Sequence, residues 1–145
     1  MKTPNFIMIH HSAVSYLKNK DQFKANDEYH KAQWNFKSSL GFYLGYNYEI
    51  SSKGLIRQAR KDGEVTAACY QKSMNNGRCV HICLDGNFDI EKPTPSQIYA
   101  LRDLVKKLAN SYKIVATGIV FHRNYAPKSC PGMNVDINFV RSLIN

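Results

Sequence analysis

The sequence has no apolar run approaching the roughly 20 residues that a membrane-spanning helix needs. Residues 1–5 lead directly into a short apolar run and a histidine pair, whereas a secretory signal needs a longer apolar core and a small-residue cleavage site. We therefore expect a protein that is cytoplasmic as synthesised and that does not insert into membranes. No internal repeat or low-complexity segment is present, and the length of 145 residues predicts one domain over residues 1–145.

Cysteine is scarce, and none of the four cysteines belongs to a Cys-x-x-Cys pair. Structural zinc ions usually have four closely paired ligands, so the spacing does not indicate a site of that kind. If Cys79 and Cys83 share a strand, they lie about 13 Å apart, which is too far for a disulfide. The spacing leaves a Cys69–Cys79 disulfide open. Without an export signal, however, we expect four free thiols, three of them in the core.

Acidic residues are also few, with 11 against 20 basic residues and a net charge of +9. Such a chain is attracted to polyanions, which include nucleic acid, anionic membranes and bacterial wall polymer. The basic residues are scattered, so general solubility is an equally good explanation of the charge. The sequence lacks a basic helix, a stacking-aromatic motif and paired zinc-knuckle ligands, and we expect no nucleic-acid partner.

Two apolar runs, at residues 6–9 and 79–84, predict central strands that are buried on both faces. Alternating aromatic residues at 40–50, a turn at Gly54 and an extended pattern at 55–60 predict a β-hairpin. Residues 61–77 have turn signals and little periodicity, which indicates a long surface loop. The apolar run at 114–121 predicts a further strand.

Three helices are predicted between and after these strands. The first is expected to begin at an N-cap, Asn26 or Asp27, and to end near residue 36. The second begins with Thr94-Pro95-Ser96-Gln97, a capping box with proline at the first helical position, and should end near residue 111. The third is capped by Asn134 or Asp136. The order predicts an α/β single domain with a central mixed β-sheet of about five strands flanked by helices.

The side chains with the richest chemistry lie at predicted strand ends. His10 and His11 end the first strand, and strand alternation sends them to opposite faces, so only one of them points into any given site. His122 follows the strand at 114–121, and two prolines stiffen the loop that carries Lys128 and Cys130. The alternative is structural: a capped surface histidine at His122 and a small buried residue at Cys130.

Two histidines and one cysteine form a known type of zinc site. Zinc with three protein ligands keeps a fourth position for water and lowers the pKa of that water from about 15.7 toward 7. Ligands from distant strands suit such an open catalytic site better than a structural one. The spacing by itself is weak support, because His…His-x7-Cys is not an established fingerprint. His11 remains an alternative to His10.

Four blocks of the sequence resemble the type 2 N-acetylmuramoyl-L-alanine amidase family, which includes phage amidase endolysins and peptidoglycan recognition proteins. The blocks occur in the family's order and span nearly the whole chain, and the last is the most specific. They are Ile9-His10-His11-Ser12-Ala13, Gly45-Tyr46-Asn47-Tyr48, Cys83-Leu84-Asp85-Gly86-Asn87-Phe88, and His122 followed by Ala126-Pro127-Lys128-Ser129-Cys130-Pro131-Gly132. The resemblance also implies a central mixed sheet flanked by helices.

Carried over residue by residue, the resemblance implies that His10, His122 and Cys130 bind Zn²⁺ and that Tyr46 and Lys128 act in catalysis. It implies a monomeric, bacteriolytic hydrolase of the amide bond between N-acetylmuramic acid and L-alanine in bacterial peptidoglycan, such as a phage or prophage endolysin acting on the wall after release. A cytosolic muropeptide-recycling amidase and a non-catalytic wall-binding protein are the alternatives. Members of the family that only recognise the wall often lack the cysteine, so Cys130 favours an enzyme.

Two stretches depart from the family's pattern. The Gly-Ala-His-like block before the third strand is replaced by Ala67-Ala68-Cys69-Tyr70-Gln71, and Glu-Gly-Arg after the hairpin is replaced by Gln58-Ala59-Arg60. Neither stretch contains a proposed metal ligand. Both are expected to lie where substrate is held, so the resemblance does not carry over the peptide preference.

Overall fold

Five strands form one sheet in the computed structural model, which describes all 145 residues. In chain order the strands are β1 (Phe6–His11), β2 (Tyr48–Ile50), β3 (Ile56–Gln58), β4 (Cys79–Leu84) and β5 (Ile119–Phe121). The order across the sheet is β3-β2-β4-β1-β5, and β3 is antiparallel to β2 while the other pairs are parallel. Three helices accompany the sheet: α1 (Phe23–Trp34), α2 (Pro95–Tyr112) and α3 (Ile137–Ser142). The predicted single α/β domain with a mixed sheet is confirmed.

The two faces of the sheet bury different kinds of side chain. One face carries the main core, in which the strands pack against the apolar stripe of α2. The stripe consists of Leu101, Leu104, Val105 and Leu108. The opposite face carries Met8 and the residue opposite it in the parallel register, His81. Side chains alternate along a strand, so His10 lies on this second face two residues beyond Met8. The polar chemistry of β1 therefore lies away from the main core.

A complete capping box starts α2, as predicted. The Thr94 hydroxyl oxygen accepts the Gln97 backbone N–H at 3.1 Å, and the Gln97 side-chain oxygen accepts the Thr94 N–H at 3.0 Å. Pro95 is the first helical residue, where a missing N–H costs nothing. The Thr94 hydroxyl also donates to the carbonyl of Ser52 at 2.6 Å, which joins the start of α2 to the turn between β2 and β3.

Replacing Thr94 by alanine is expected to lower the free energy of unfolding by about 1–2 kcal/mol, because it leaves helix N–H groups without a side-chain acceptor. Chemical denaturation measures the change as a shift in midpoint. The exposed Thr3 provides the matched control, since Thr3→Ala removes the same atoms and no cap. Equal midpoints for the two variants would show that the box contributes nothing to stability.

The first helix starts earlier than the sequence predicts. It begins at Phe23 after Gln22, whose side chain makes no capping hydrogen bond, so the prediction of Asn26 or Asp27 as N-cap was wrong. Asp27 instead accepts the backbone N–H groups of residues 43 and 44 at 2.7 and 2.8 Å, and Asn26 donates to Glu49 at 2.9 Å. Both side chains connect α1 to the rest of the fold rather than closing its end.

The predicted strands at 40–50 and 114–121 are shorter in the structure. The hairpin pairs only three residues of β2 with three of β3, and residues 40–47 are not a strand. A 3₁₀ turn at Ala116–Gly118 precedes β5. The predicted loop at 61–77 contains one 3₁₀ turn, Lys72–Met74. Of the two predicted caps for the last helix, Asp136 is the one observed, and its carboxylate accepts the N–H of Asn138 at 2.9 Å.

All four cysteines are free thiols in buried positions, including Cys69 and Cys79. None of the helices combines the length and the apolar character that a membrane crossing requires.

Candidate metal centre and cleft

Three side chains from separate elements converge at one edge of the sheet. His10 comes from the carboxyl end of β1, His122 begins the 3₁₀ turn His122–Asn124 after β5, and Cys130 lies on the following loop. All three are buried, and each offers a ligand atom within 4.8 Å of the other two. β1 and β5 are parallel neighbours, so their carboxyl ends lie side by side and bring the two histidines together.

The donor set fits a zinc ion. The Nε2 atom of His122 is buried and has no hydrogen-bond partner, which is costly for a polar atom unless something binds it. The Cys130 Sγ lies 3.9 Å from the Nδ1 atom of His10. Zinc bond lengths and a tetrahedral angle place a sulfur and a nitrogen ligand about 3.6 Å apart. The observed separation therefore needs only a small contraction around the metal.

The two histidines of this cluster are neutral in this environment. Burial, followed by repulsion from His81, lowers the pKa of His10 well below its usual range. Burial and the neighbouring Lys128 charge lower the pKa of His122 to about 4. Neutral imidazole is the form that binds metals. Burial also raises the pKa of the Cys130 thiol to about 11, so the metal-free protein carries a protonated thiol there.

Arg123 fixes the loop that presents Cys130. Its backbone N–H donates to the Cys130 carbonyl at 2.8 Å, and its guanidinium donates to the carbonyls of Gly132 at 3.0 Å and Val135 at 3.2 Å. The backbone N–H of His11 donates to the Cys130 sulfur at 3.3 Å. Such contacts set the direction of the thiol before any metal arrives.

Asp89 holds the same loop from the other side. One carboxylate oxygen accepts the Ser129 hydroxyl at 2.6 Å, and the other accepts the Met133 N–H at 2.9 Å. These two hydrogen bonds, with that of Ser129 foremost, hold the pKa of Asp89 below its usual value. The carboxylate is therefore charged at neutral pH and anchors both ends of a short loop around Cys130.

Tyr46 lies beside the three candidate ligands. Its ring centroid is 4.9 Å from that of His10 and 5.4 Å from that of His30. The His30 Nδ1 accepts the N–H of Gly45 at 2.7 Å, which fixes the backbone next to the tyrosine. A Cβ at Gly45 would collide with the carbonyl of Ala67, so only glycine fits. Burial raises the pKa of Tyr46 well above its usual range, and the side chain is a neutral phenol.

Two depressions open onto this edge of the sheet, and Tyr46, His122 and Lys128 line both. The larger is a cleft of about 570 Å³. Its remaining walls come from α1 and the loop at 61–77, through Trp34, Ala67, Ala68, Cys69, Tyr70, Lys72 and Asn75. The smaller, of about 260 Å³, is lined by Cys130 and by His11 and Asp89. Lys128 is exposed, so its ammonium is free to meet a ligand in either depression.

The structure thus brings together His10, His122, Cys130, Tyr46 and Lys128. His11 lies on the other face of β1, where its Nδ1 accepts the N–H of Phe88 at 3.1 Å, and it is not one of the three clustered ligands. His81 lies in the run at residues 79–84, for which the sequence predicts a buried strand. It is buried, but its Nδ1 lies 2.8 Å from the Nε2 atom of His10. The only sequence signal for this contact was a histidine inside an otherwise apolar strand.

Comparison with known proteins gives one matching family and many similar structures. The model of the N-acetylmuramoyl-L-alanine amidase family matches residues 1–133. No match was found among curated proteins. The amidase LysC from Clostridium intestinale URNW is similar in structure, with a TM-score of 0.78, 27% identity, and coverage of 97% of this chain and 84% of that chain.

More distant structures share the fold. The endolysin of the Thermus scotoductus bacteriophage Ph2119 has a TM-score of 0.77 and 19% identity, covering all of this chain and 87% of its own. A variant of the Drosophila recognition protein PGRP-LB in complex with tracheal cytotoxin has a TM-score of 0.75 and 21% identity, covering 93% of this chain and 79% of its own. At these identities the likeness concerns the fold alone.

Proposed function

Because the chain belongs to the N-acetylmuramoyl-L-alanine amidase family, with residues 1–133 matched, we propose that it is a zinc-dependent amidase of bacterial peptidoglycan. The bond cleaved is the amide between N-acetylmuramic acid and L-alanine. The observation that carries the proposal is the cluster of His10, His122 and Cys130, with an unpartnered buried nitrogen on His122, at the edge of a cleft.

The ligand set supports a catalytic rather than a structural metal. His10, His122 and Cys130 supply three ligands, while a closed structural zinc site has four. His122 lines both depressions, so a metal held by these three residues would be open to a ligand there. When bound, zinc supplies Lewis acidity that activates water and polarises an amide carbonyl. The protein itself supplies the fixed ligand geometry and the groups around it.

Lys128 and Tyr46 complete the site. The Lys128 ammonium stabilises the negative charge that develops on the carbonyl oxygen as the amide carbon becomes tetrahedral. The Tyr46 phenol keeps its proton, and its ring centroid lies 4.9 Å from that of His10. We assign it the role of hydrogen-bond donor to the attacking water or to the substrate. The departing L-alanine nitrogen must gain a proton, and the phenol and water in the open cleft are the available sources.

The larger cleft suits a glycopeptide. Its apolar wall includes the half-exposed Trp34 and the almost fully exposed Tyr70, whose rings can cover sugar or side-chain surface. Lys72 and Lys128 place positive charge along the same cleft, and the chain as a whole carries +9. Peptidoglycan and its associated polymers are anionic, so the field draws the protein to the wall. We propose a phage or prophage endolysin acting as a monomer.

A non-catalytic peptidoglycan-binding protein is the second candidate. The PGRP-LB variant gives this candidate its support, since it shares the fold and is in complex with tracheal cytotoxin. The three intact ligands and the nearby Tyr46 and Lys128 favour catalysis instead. Binding without cutting would need none of them in this arrangement.

Mass spectrometry of purified peptidoglycan decides between the candidates. The zinc-loaded protein is expected to release free stem peptides beginning at L-alanine, with intact glycan strands. Treatment with a chelator should abolish the release, and added zinc should restore it. A folded, zinc-loaded protein that binds the wall but releases no peptide would exclude the amidase and leave the binding protein.

A further inference from the structure

A line of hydrogen bonds leads from His10 away from the proposed metal and into the protein. The Nε2 atom of His10 lies 2.8 Å from the Nδ1 atom of His81, and the Nε2 atom of His81 lies 2.6 Å from the backbone carbonyl of Met74. His10 and His81 are both fully buried, so no water competes for these positions. The line joins a strand end, the neighbouring strand and a loop turn.

The carbonyl at the far end decides where each proton sits. A carbonyl oxygen only accepts, so His81 must carry a proton on Nε2. In a neutral imidazole the other nitrogen is then an acceptor, so Nδ1 of His81 receives a hydrogen bond from His10. His10 consequently carries its proton on Nε2. Nδ1 of His10 is then unprotonated and has a free lone pair. It is the atom that lies 3.9 Å from the Cys130 sulfur.

Packing alone does not account for a histidine at this position. His81 lies opposite Met8 in the β1–β4 register, and the cluster around Met8 consists of Cys69, Met74, Cys79 and Val120. An imidazole buried there loses its hydration, which an apolar side chain of similar volume would not. The two hydrogen bonds of His81 offset that loss, and both belong to the line that reaches His10.

We infer that His81 is a positioning residue that fixes the tautomer and ring orientation of His10, so that Nδ1 of His10 is presented to the metal. The role rests on the metal site proposed above. Histidine ligands usually donate their second N–H to a carboxylate, a carbonyl or water. Here His81, a second neutral histidine, accepts that N–H, and it is itself held by a hydrogen bond to the Met74 carbonyl in the 61–77 loop.

The same loop forms a wall of the larger cleft. Asn75, the residue after Met74, accepts the N–H groups of Ala68 and Cys69 at 3.1 and 3.0 Å and donates to the Cys69 carbonyl at 2.6 Å. Ala68, Cys69 and Asn75 all line that cleft. The Met74 carbonyl, which orients His81, is therefore next to Asn75, which holds the cleft wall in place. The same turn thus supports both the cleft wall and the proposed ligand His10.

The test compares two variants of similar shape. In His81→Asn the side-chain oxygen takes roughly the place of Nδ1 and can still accept from His10, whereas His81→Leu cannot. Zinc affinity, measured by competition with a chromophoric chelator, is expected to fall roughly 10- to 100-fold in the leucine variant and to recover in large part in the asparagine variant. Val80→Ala, on the opposite face of β4, controls for lost core packing and should keep the wild-type affinity.

Nitrogen-15 NMR of the zinc-free protein gives a second reading that does not depend on the metal. We expect His10 to carry its proton on Nε2 in the wild type and in His81→Asn, and to show a mixture of tautomers in His81→Leu. Wild-type zinc affinity in the leucine variant, or a proton on Nδ1 of His10 in the wild type, would overturn the inference. A wild type that binds no zinc would overturn the metal site and with it the positioning role, even with the expected tautomer.

Discussion

The Cys130→Ser variant is expected to lose both the proposed zinc binding and the proposed amidase activity. Serine keeps the size of the side chain and can still accept the N–H of His11, which lies 3.3 Å from the sulfur in the wild type. It cannot supply a thiolate, which is a far better zinc ligand than a hydroxyl at neutral pH. Metal catalysis contributes several kcal/mol, so the rate should fall by at least about 10³-fold.

Cys79→Ser is the matched control for that variant. Cys79 is also a buried cysteine, but it packs with Met8 and Val120 and is not among the three candidate ligands. Its replacement makes the same chemical change and should leave the zinc content at one per folded chain. Metal analysis of the gel-filtered protein measures the zinc content per chain directly. A Cys130→Ser protein that keeps one zinc and wild-type activity would remove Cys130 from the ligand set.

The elements predicted best were those whose structure is determined by residues close together in the sequence. Both central strands are largely apolar, as a sheet buried on both faces requires, and β1 and β4 are found where the apolar runs lie. The start of α2 follows from four adjacent residues whose side chains and backbone satisfy one another, and no distant contact is needed to place it.

Residues 40–47 do not form the predicted strand, in part because side chains from elsewhere bind their backbone. Asp27 accepts the N–H groups of Tyr43 and Leu44, and the buried Arg60 donates to the Leu44 carbonyl at 2.7 Å. The alternating pattern was real, since Leu44 and Tyr46 pack toward Phe23. Alternation shows which side chains are buried, but it cannot show whether a neighbouring strand or a charged side chain satisfies the backbone.

The candidate site was predictable only in part for a similar reason. His10, His122 and Cys130 could be proposed together because each belongs to a sequence block that resembles one family, and the parallel arrangement of β1 and β5 explains why they meet. His81 belongs to no such block in a recognisable role. Its contact with His10 joins residues 71 positions apart, and it depends on the register between β1 and β4.

Replacing Lys128 by methionine is expected to reduce kcat by about 10²- to 10³-fold while zinc stays bound. The side chain is exposed, lines both depressions, and lies close enough to His122 for its charge to lower the pKa of that ligand. Methionine keeps the approximate length and the apolar stem but removes the charge that we propose stabilises the developing oxyanion. Loss of a positive charge beside a cationic metal cannot weaken metal binding, so zinc affinity should be unchanged or slightly higher.

Lys106→Met separates this local effect from the loss of one positive charge. Lys106 is exposed on α2 and lines neither depression, yet its replacement changes the net charge by the same amount. With a soluble muropeptide as substrate, Lys106→Met should keep the wild-type kcat and Lys128→Met should not. If both variants lose the same factor on intact wall and neither loses any on the muropeptide, Lys128 serves attraction to the wall. An effect of Lys128→Met confined to kcat places its ammonium at the transition state, because a group that only holds the substrate would change KM instead.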